Sequence, residues 1–334
     1  MRVSDWDQTA FVAQIETYRR ELHVHCYRLM GSIQDADDMV QETLLRAWRR
    51  RESIEDLSSL RPWLYKVATN ICLDALKRRP NRRVPLTHEP EAAATEPIPQ
   101  EINDPIWLEP YPDAPLLPAD EQHPEEVVVA RENITLAFIV VLHQLPPRQR
   151  AVLLLRDVLD WSTSEVAAFL DTTIPAVKSA LHRARAILAT RRITPDADLS
   201  WENDRTTAAQ LSAYIAAWET ADIDAFVRLL KDDATFSMPP IPAWYRGRET
   251  IRGLVARTVF SGHAQGRWRL LPTCANGQPA FGLYSQTENR SVYAAYGIQV
   301  VTLVDHAISD VITFRNPSLV MRFGLPQSLS EQTS

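Results

Sequence analysis

Five side chains within the stretch "VKSALHRAR", Lys178, Ser179, His182, Arg183 and Arg185, are of types that bind anions. Lysine and arginine carry fixed positive charge, arginine adds a planar fork of donors that matches a phosphate, and serine and histidine add hydrogen bonds. From Thr172 to Arg192 there is no Asp or Glu, although the formal net charge of the chain is -6. Projected on a helix at about 100° per residue, Val177, Ala180, Leu181, Ala184, Ile187 and Leu188 share one side. Lys178, His182 and Arg185 fall in a narrow sector opposite, flanked by Ser179 and Arg183. A surface helix ordinarily intersperses carboxylates at i,i+4. This one omits them, as suits a helix lying between the phosphate rails of a duplex major groove. A charged face that is merely solvated is the alternative.

The elements that would hold these residues are legible on either side. Ser162 and Glu165 form an S-x-x-E capping box that opens a short helix through Val166 and Leu170. Asp171 and Thr172 make a turn, Thr173 is an N-cap, and Pro175 sits in the first turn of the next helix, where its missing N–H costs little. Two short helices with a tight turn are a helix-turn-helix. They are preceded by the helical stretches "RENITLAFIVVLHQL" and "LPPRQRAVLLLRDVLDW".

Near the N-terminus, "DADDMVQETLLRAWRR" (35–50) starts acidic and ends basic, the polarity that suits a helix dipole. Val40, Leu44 and Ala47 give it an apolar face, while Asp38, Gln41, Glu42, Arg46 and Arg49 lie elsewhere. A second helix starts near Arg61 with Pro62 in its first turn. Between Arg46 and Arg83 there are 11 Lys or Arg against 4 Asp or Glu, with Trp48, Trp63 and Tyr65 interleaved. Rings among cations can stack bases and hold phosphates of a single strand; core packing is the competing reading for each ring.

A chain of 334 residues exceeds one ordinary core. The segment Pro80 to Pro124 holds 11 of the 23 prolines, and from Val84 to Ala130 there is no Lys or Arg. Such an acidic, proline-rich stretch reads as an extended, solvated spacer, or as a negative tract that competes with nucleic acid for a basic surface. The chain therefore divides into 1–83, a linker 84–129, 130–192, 205–326 and a tail 327–334. The longest apolar run, Leu136 to Leu142, is too short to span a bilayer, and no apolar leader opens the chain. Cys26, Cys72 and Cys274 lack metal-ligand spacing, so neither a disulfide framework nor a metal or cofactor is expected, and a cytoplasmic setting without membrane fits.

The blocks "DADDMVQETLLRAWRR", "RPWLYKVATNICLDALKRR" and "LPPRQRAVLLLRDVLDWSTSEVAAFLDTTIPAVKSALHRARAIL" together resemble the bacterial extracytoplasmic-function sigma factors of RNA polymerase over about residues 10 to 190. The resemblance implies two all-α domains. The first would bind the core polymerase through Asp38, Gln41, Glu42 and Arg46 and open the minus-ten element. The melted strand would meet the connection Arg50 to Leu60, including Arg50 and Arg51, with Trp63, Lys66, Asn70, Arg78 and Arg79. The second would read the minus-thirty-five duplex through Lys178, Ser179, His182, Arg183 and Arg185. One departure is "LDTTIPAV", which lacks the glycine the family more often carries in this turn.

Residues 205–326 read as helices, then a meander of strands broken at "ANG" and "DH", which is an α+β cone. "DDATFSMPPIPAWYRGRETI" and "FRNPSLVMRFGLP" resemble the SnoaL-like, or ketosteroid-isomerase-like, domain appended to some of these sigma factors. Trp218, Phe236, Met238, Trp244, Tyr245 and Trp268 could line its pocket and admit a small molecule, or form its core. No catalytic residue is assigned, because Asp232, Asp233, Asp305, His306 and His263 all fall at turns or loops. Regulation in cis by this domain, a DNA-tethered enzyme, and a repressor using only the helix-turn-helix are the three functional readings. The polymerase-type block at 35–50 argues against the last.

Overall fold

The apolar stripe of the acidic-to-basic helix is where sequence period becomes packing: Val40, Leu44 and Ala47 are all buried. The computed structural model describes residues 8–51, 54, 59–78, 89–102, 107–113, 135–190, 204–262, 264–288 and 291–330. They fall into two compact units, Met1–Arg82 with Pro115–Ala197, and Arg83–Ala114 with Asp198–Ser334. No helix among the described residues is long and apolar enough to cross a membrane.

In the first unit the helices are α1 (Gln8–Thr17), α2 (Arg19–Met30), α3 (Ile33–Arg49), α4 (Leu60–Leu76), α5 (Leu136–Leu142), α6 (Pro147–Leu153), α7 (Thr163–Phe169) and α8 (Ile174–Thr190). Ser32 caps α3 by accepting from Asp35 N, and Gly31 ends α2 at φ 73°, the left-handed conformation glycine adopts freely. After α6 the chain widens into a π-helical turn, Leu154–Val158, before the helix-turn-helix. Both halves share one interior. Arg150 of α6, fully buried, donates to Leu29 O at the end of α2 and to Leu142 O, His143 O and Leu145 O after α5. His143 Nε2 lies 3.2 Å from Arg28 O, and Trp161 meets Tyr65 edge-on.

The second unit holds α9 (Arg205–Thr220), α10 (Ile223–Arg228), α11 (Arg248–Arg257) and α12 (Pro317–Arg322) around a seven-stranded sheet. Its strands are β1 (Leu230–Ser237), β2 (Trp244–Arg246), β3 (Trp268–Ala275), β4 (Gln278–Gln286), β5 (Val292–Val304), β6 (Ala307–Phe314) and β7 (Ser328–Ser330). The order is β2-β1-β6-β5-β4-β3, parallel only between β1 and β6, with β7 added beside β5. The "ANG" turn joins β3 to β4 with both Asn276 and Gly277 at positive φ, as a two-residue hairpin requires. Gly297 is obligatory, since a Cβ there would lie 2.1 Å from Phe314 O.

Two expectations are corrected. The stretch 327–334 is not simply a tail, because Ser328–Ser330 pairs with Val292–Ala294. More consequentially, the described residues between 89 and 113 are not a solvated spacer. Trp244 Nε1 donates to Glu89 O, Ala92 N to Trp244 O, Ile102 N to Pro240 O, and Arg257 to Glu96 O. Leu108 and Tyr111 are buried, Tyr111 N donates to the Asn276 side chain, and Gly277 N donates to Asp113 Oδ2. This stretch is a strap that runs from β2 to the β3–β4 turn. Composition gives no sign of this because the strap needs little apolar surface of its own: much of its backbone is satisfied by groups the module already presents.

His25 is buried with Nε2 2.8 Å from Thr69 Oγ1, and burial, with the Arg28 charge nearby, lowers its pKa from 6.5 to about 3. As pH falls below 6.5 the unfolded chain binds this proton first, so stability is full above that pH and lost below it by about 1.4 kcal/mol per unit. Denaturation at pH 7.5 and pH 5 is expected to differ by about 2 kcal/mol from this group. His25→Gln should flatten that slope; an equally steep dependence in the variant would assign the effect to another group.

Candidate functional site

The helix-turn-helix is built as its sequence dictates. Ser162 Oγ accepts from Glu165 N, and the Glu165 carboxylate accepts from Ser162 N, which closes the capping box and holds Glu165 below the usual carboxylate pKa. Thr173 Oγ1 caps α8 by accepting from Ala176 N. In the turn between them Asp171 takes φ 48°, the left-handed conformation that the absent glycine would have supplied. Aspartate is one of the few other residues that visits this region.

On α8, Val177, Ala180, Leu181 and Ala184 are buried and Ile187 and Leu188 half-buried, while Lys178, Ser179, His182, Arg183 and Arg185 are all exposed. The five expected residues thus share one open face. Lys178, His182 and Arg185 also line a shallow depression of about 480 Å³ with Arg156 and Thr163. Their states differ. Arg183 donates to Ser179 Oγ at 2.6 Å, and Arg185 forms a two-pronged pair with Asp157, at 2.6 and 3.0 Å. The Asp157 partner raises the Arg185 pKa further. The acid-free sequence of α8 gives no sign of this partner, because Asp157 comes from the π-helical turn Leu154–Val158.

On the other helical module, Asp38, Gln41, Arg46 and Arg49 of α3 are exposed. Glu42 accepts from Arg46 at 2.7 Å, one helical turn on, and Leu45 stands 42% exposed among them. Trp63, Lys66 and Asn70 are half-buried and spaced to form one stripe of α4. Arg50 and Arg78 are exposed, and the Arg51 guanidinium stacks 4.5 Å from the Trp48 ring centre. Arg79, and residues 52, 53 and 55–58 of the expected strand-capturing connection, lie outside the described residues.

In the second unit the six aromatic and Met candidates are all buried, but a cavity of about 360 Å³ takes only Met238 and Trp268 from among them. Trp218, Phe236 and Tyr245 pack in the hydrophobic core, and the Trp244 ring nitrogen is held by Glu89 O. The polar lining of the cavity is Thr258, Arg267, Ser285, Gln286, Tyr296 and Arg315. Asp232 pairs with Arg248 and Asp305 with Lys231 at the surface, and His263 lies outside the described residues.

Three family models match the chain: Sigma-70 region 2 over residues 14–82, Sigma-70 region 4 over 135–188, and the SnoaL-like domain over 211–311. The chain is similar to the ECF RNA polymerase sigma factor SigG of Mycobacterium tuberculosis, at 42% identity over 319 residues, covering 96% of this chain and 85% of that one. It is also 30% identical over 226 residues to SigJ of the same organism, covering 68% and 64%. The crystal structure of Mycobacterium tuberculosis SigJ matches with a TM-score of 0.57 and 25% identity, over 95% of this chain and 99% of that one.

If Asp171 substitutes for glycine at some conformational cost, Asp171→Gly should raise stability by about 0.5 kcal/mol. Urea unfolding measures it; a lowered midpoint would mean that the aspartate side chain contributes more than its backbone costs.

Proposed function

Because the chain belongs to the extracytoplasmic-function RNA polymerase sigma factors, we propose that its named surface residues divide the work of promoter recognition and that its SnoaL-like module regulates that work in cis. Asp38, Gln41, Glu42 and Arg46, around the exposed Leu45, face the core polymerase. Trp63, Lys66 and Asn70, with Arg50, Arg51 and Arg78, meet the melted minus-ten strand, where rings stack bases and cations follow the backbone. Lys178, Ser179, His182, Arg183 and Arg185 enter the major groove of the minus-thirty-five duplex.

The observation that carries the regulatory part is the strap. Residues 89–102 and 107–113 lie in sequence between region 2 and region 4, yet they are folded onto the C-terminal module. A module that holds the tether between two promoter-reading domains controls how far those domains can separate. The walls of its cavity are apolar, and its polar groups are cationic or neutral, which favours binding over proton abstraction.

Two outcomes are expected. Lys178→Ala should weaken promoter binding and lower the slope of log affinity against log salt by about 1. Asp157→Asn, which releases Arg185, should strengthen binding and steepen that slope; a slope unchanged in both variants would move this face away from the phosphates. In run-off transcription with core polymerase, a chain ending after Arg192 should differ in activity from the full chain, since truncation also unseats the strap. Equal activity would remove the regulatory reading.

A further inference from the structure

The strap is one wall of the cavity. Ile98 lines it beside Met238, Trp268 and Tyr296, the two rings meeting edge-to-face with centroids 5.1 Å apart. At its polar side stands Arg315, whose guanidinium carbon lies 5.2 Å from the Tyr296 ring centre. Arg315 is held from the strap: its Nη1 is 2.9 Å from Glu101 Oε1. Its Nε, by contrast, is buried without a hydrogen-bond partner. A guanidinium offers five donors in a fork that a carboxylate fills two at a time. Here one tooth is used and another is left in a closed environment. Arg267 adds a second cation to the same lining.

Resting on the reading that the module regulates in cis, we infer that this cavity binds a small aromatic carboxylate, which takes Arg315 from Glu101 and thereby releases the strap. Three features select that class. The aromatic and aliphatic walls suit an apolar body, the two arginines of the lining, of which Arg315 is balanced by Glu101 of the strap, favour an anion, and a volume near 360 Å³ is at the small end of ligand sites. Competition follows from position, because the ligand carboxylate and Glu101 need the same guanidinium and the ligand body displaces Ile98. A ligand shifts such an equilibrium only by its preference for one state. The preference here is for the unstrapped state, in which the full fork of Arg315 is available.

The test uses the full-length protein with 1-naphthoate as probe and 1-naphthamide, its neutral isostere, as control. Calorimetry should show binding of the acid, with the amide at least tenfold weaker. Hydrogen exchange should show the amides of Ala92 and Ile102, which donate to Trp244 O and Pro240 O, exchanging several-fold faster with the acid present. Glu101→Gln, which removes the competitor and keeps the cavity, should bind naphthoate several-fold more tightly than the wild type. Arg315→Gln should lose this binding, and Glu101→Gln protects the test if that variant fails to fold. Equal binding of the amide, slower or unchanged exchange across 89–113, or unaltered affinity in Glu101→Gln would each overturn the inference. None of these results touches the regulatory reading, which the transcription comparison decides by itself.

Discussion

A single buried guanidinium organises the first unit. Arg150 reaches the carbonyl end of α2 and the carbonyls that follow α5, where two helix dipoles present their negative poles. Burial pulls its pKa down to about 9, still cationic at neutral pH, and the four carbonyls compensate the charge. Removing one side of such an arrangement leaves a buried charge unpaired, at a cost of about 3–5 kcal/mol. The direction of α6, and through it the seating of the helix-turn-helix, is therefore tied to the end of α2 in the region-2 module.

Much of the architecture was legible because it rests on local rules. The capping box at Ser162, the Thr173 cap, the apolar stripes of α3 and α8 and the Asn276-Gly277 turn each follow from a few neighbouring residues. The same rules place Lys178, His182 and Arg185 on one face, since spacing on a helix fixes direction. Composition could not show how those cations are engaged. Asp157 reaches Arg185 only because the chain widens into a π-helical turn, a feature with no sequence period. Likewise, six large apolar residues of the SnoaL-like module are indistinguishable in sequence, though four are not part of the cavity wall.

The strap was illegible for a different reason. Proline and acid remove both periodicities by which elements are read, and 89–113 forms no helix or ladder among its described residues. It is ordered by what others supply: the edge of β2, the carbonyl of Pro240, the turn at Asn276 and the guanidinium of Arg315. Each contact is modest, and most are polar, so the strap is held by the sum of them. An attachment of that kind is suited to reversal.

Distance makes the reversal consequential. Elements named for positions ten and thirty-five lie about 25 base pairs apart, or about 85 Å along B-form DNA. A unit of about 150 residues has a radius of gyration of only about 15 Å, so helical modules packed together around Arg150 cannot meet both elements at once. On the proposed division of the promoter contacts they would have to separate, and the chain that joins them would have to lengthen. The 25 positions from 89 to 113 represent at most about 90 Å of extended chain, a length comparable to the whole span required. On the proposed reading, that reserve is withheld while 89–102 and 107–113 lie on the SnoaL-like module, and its release would make it available to the tether. On the proposed reading, control of promoter reach resides in the polar contacts that hold the strap, and Ile98 of the strap lines the same cavity as Arg267 and Arg315.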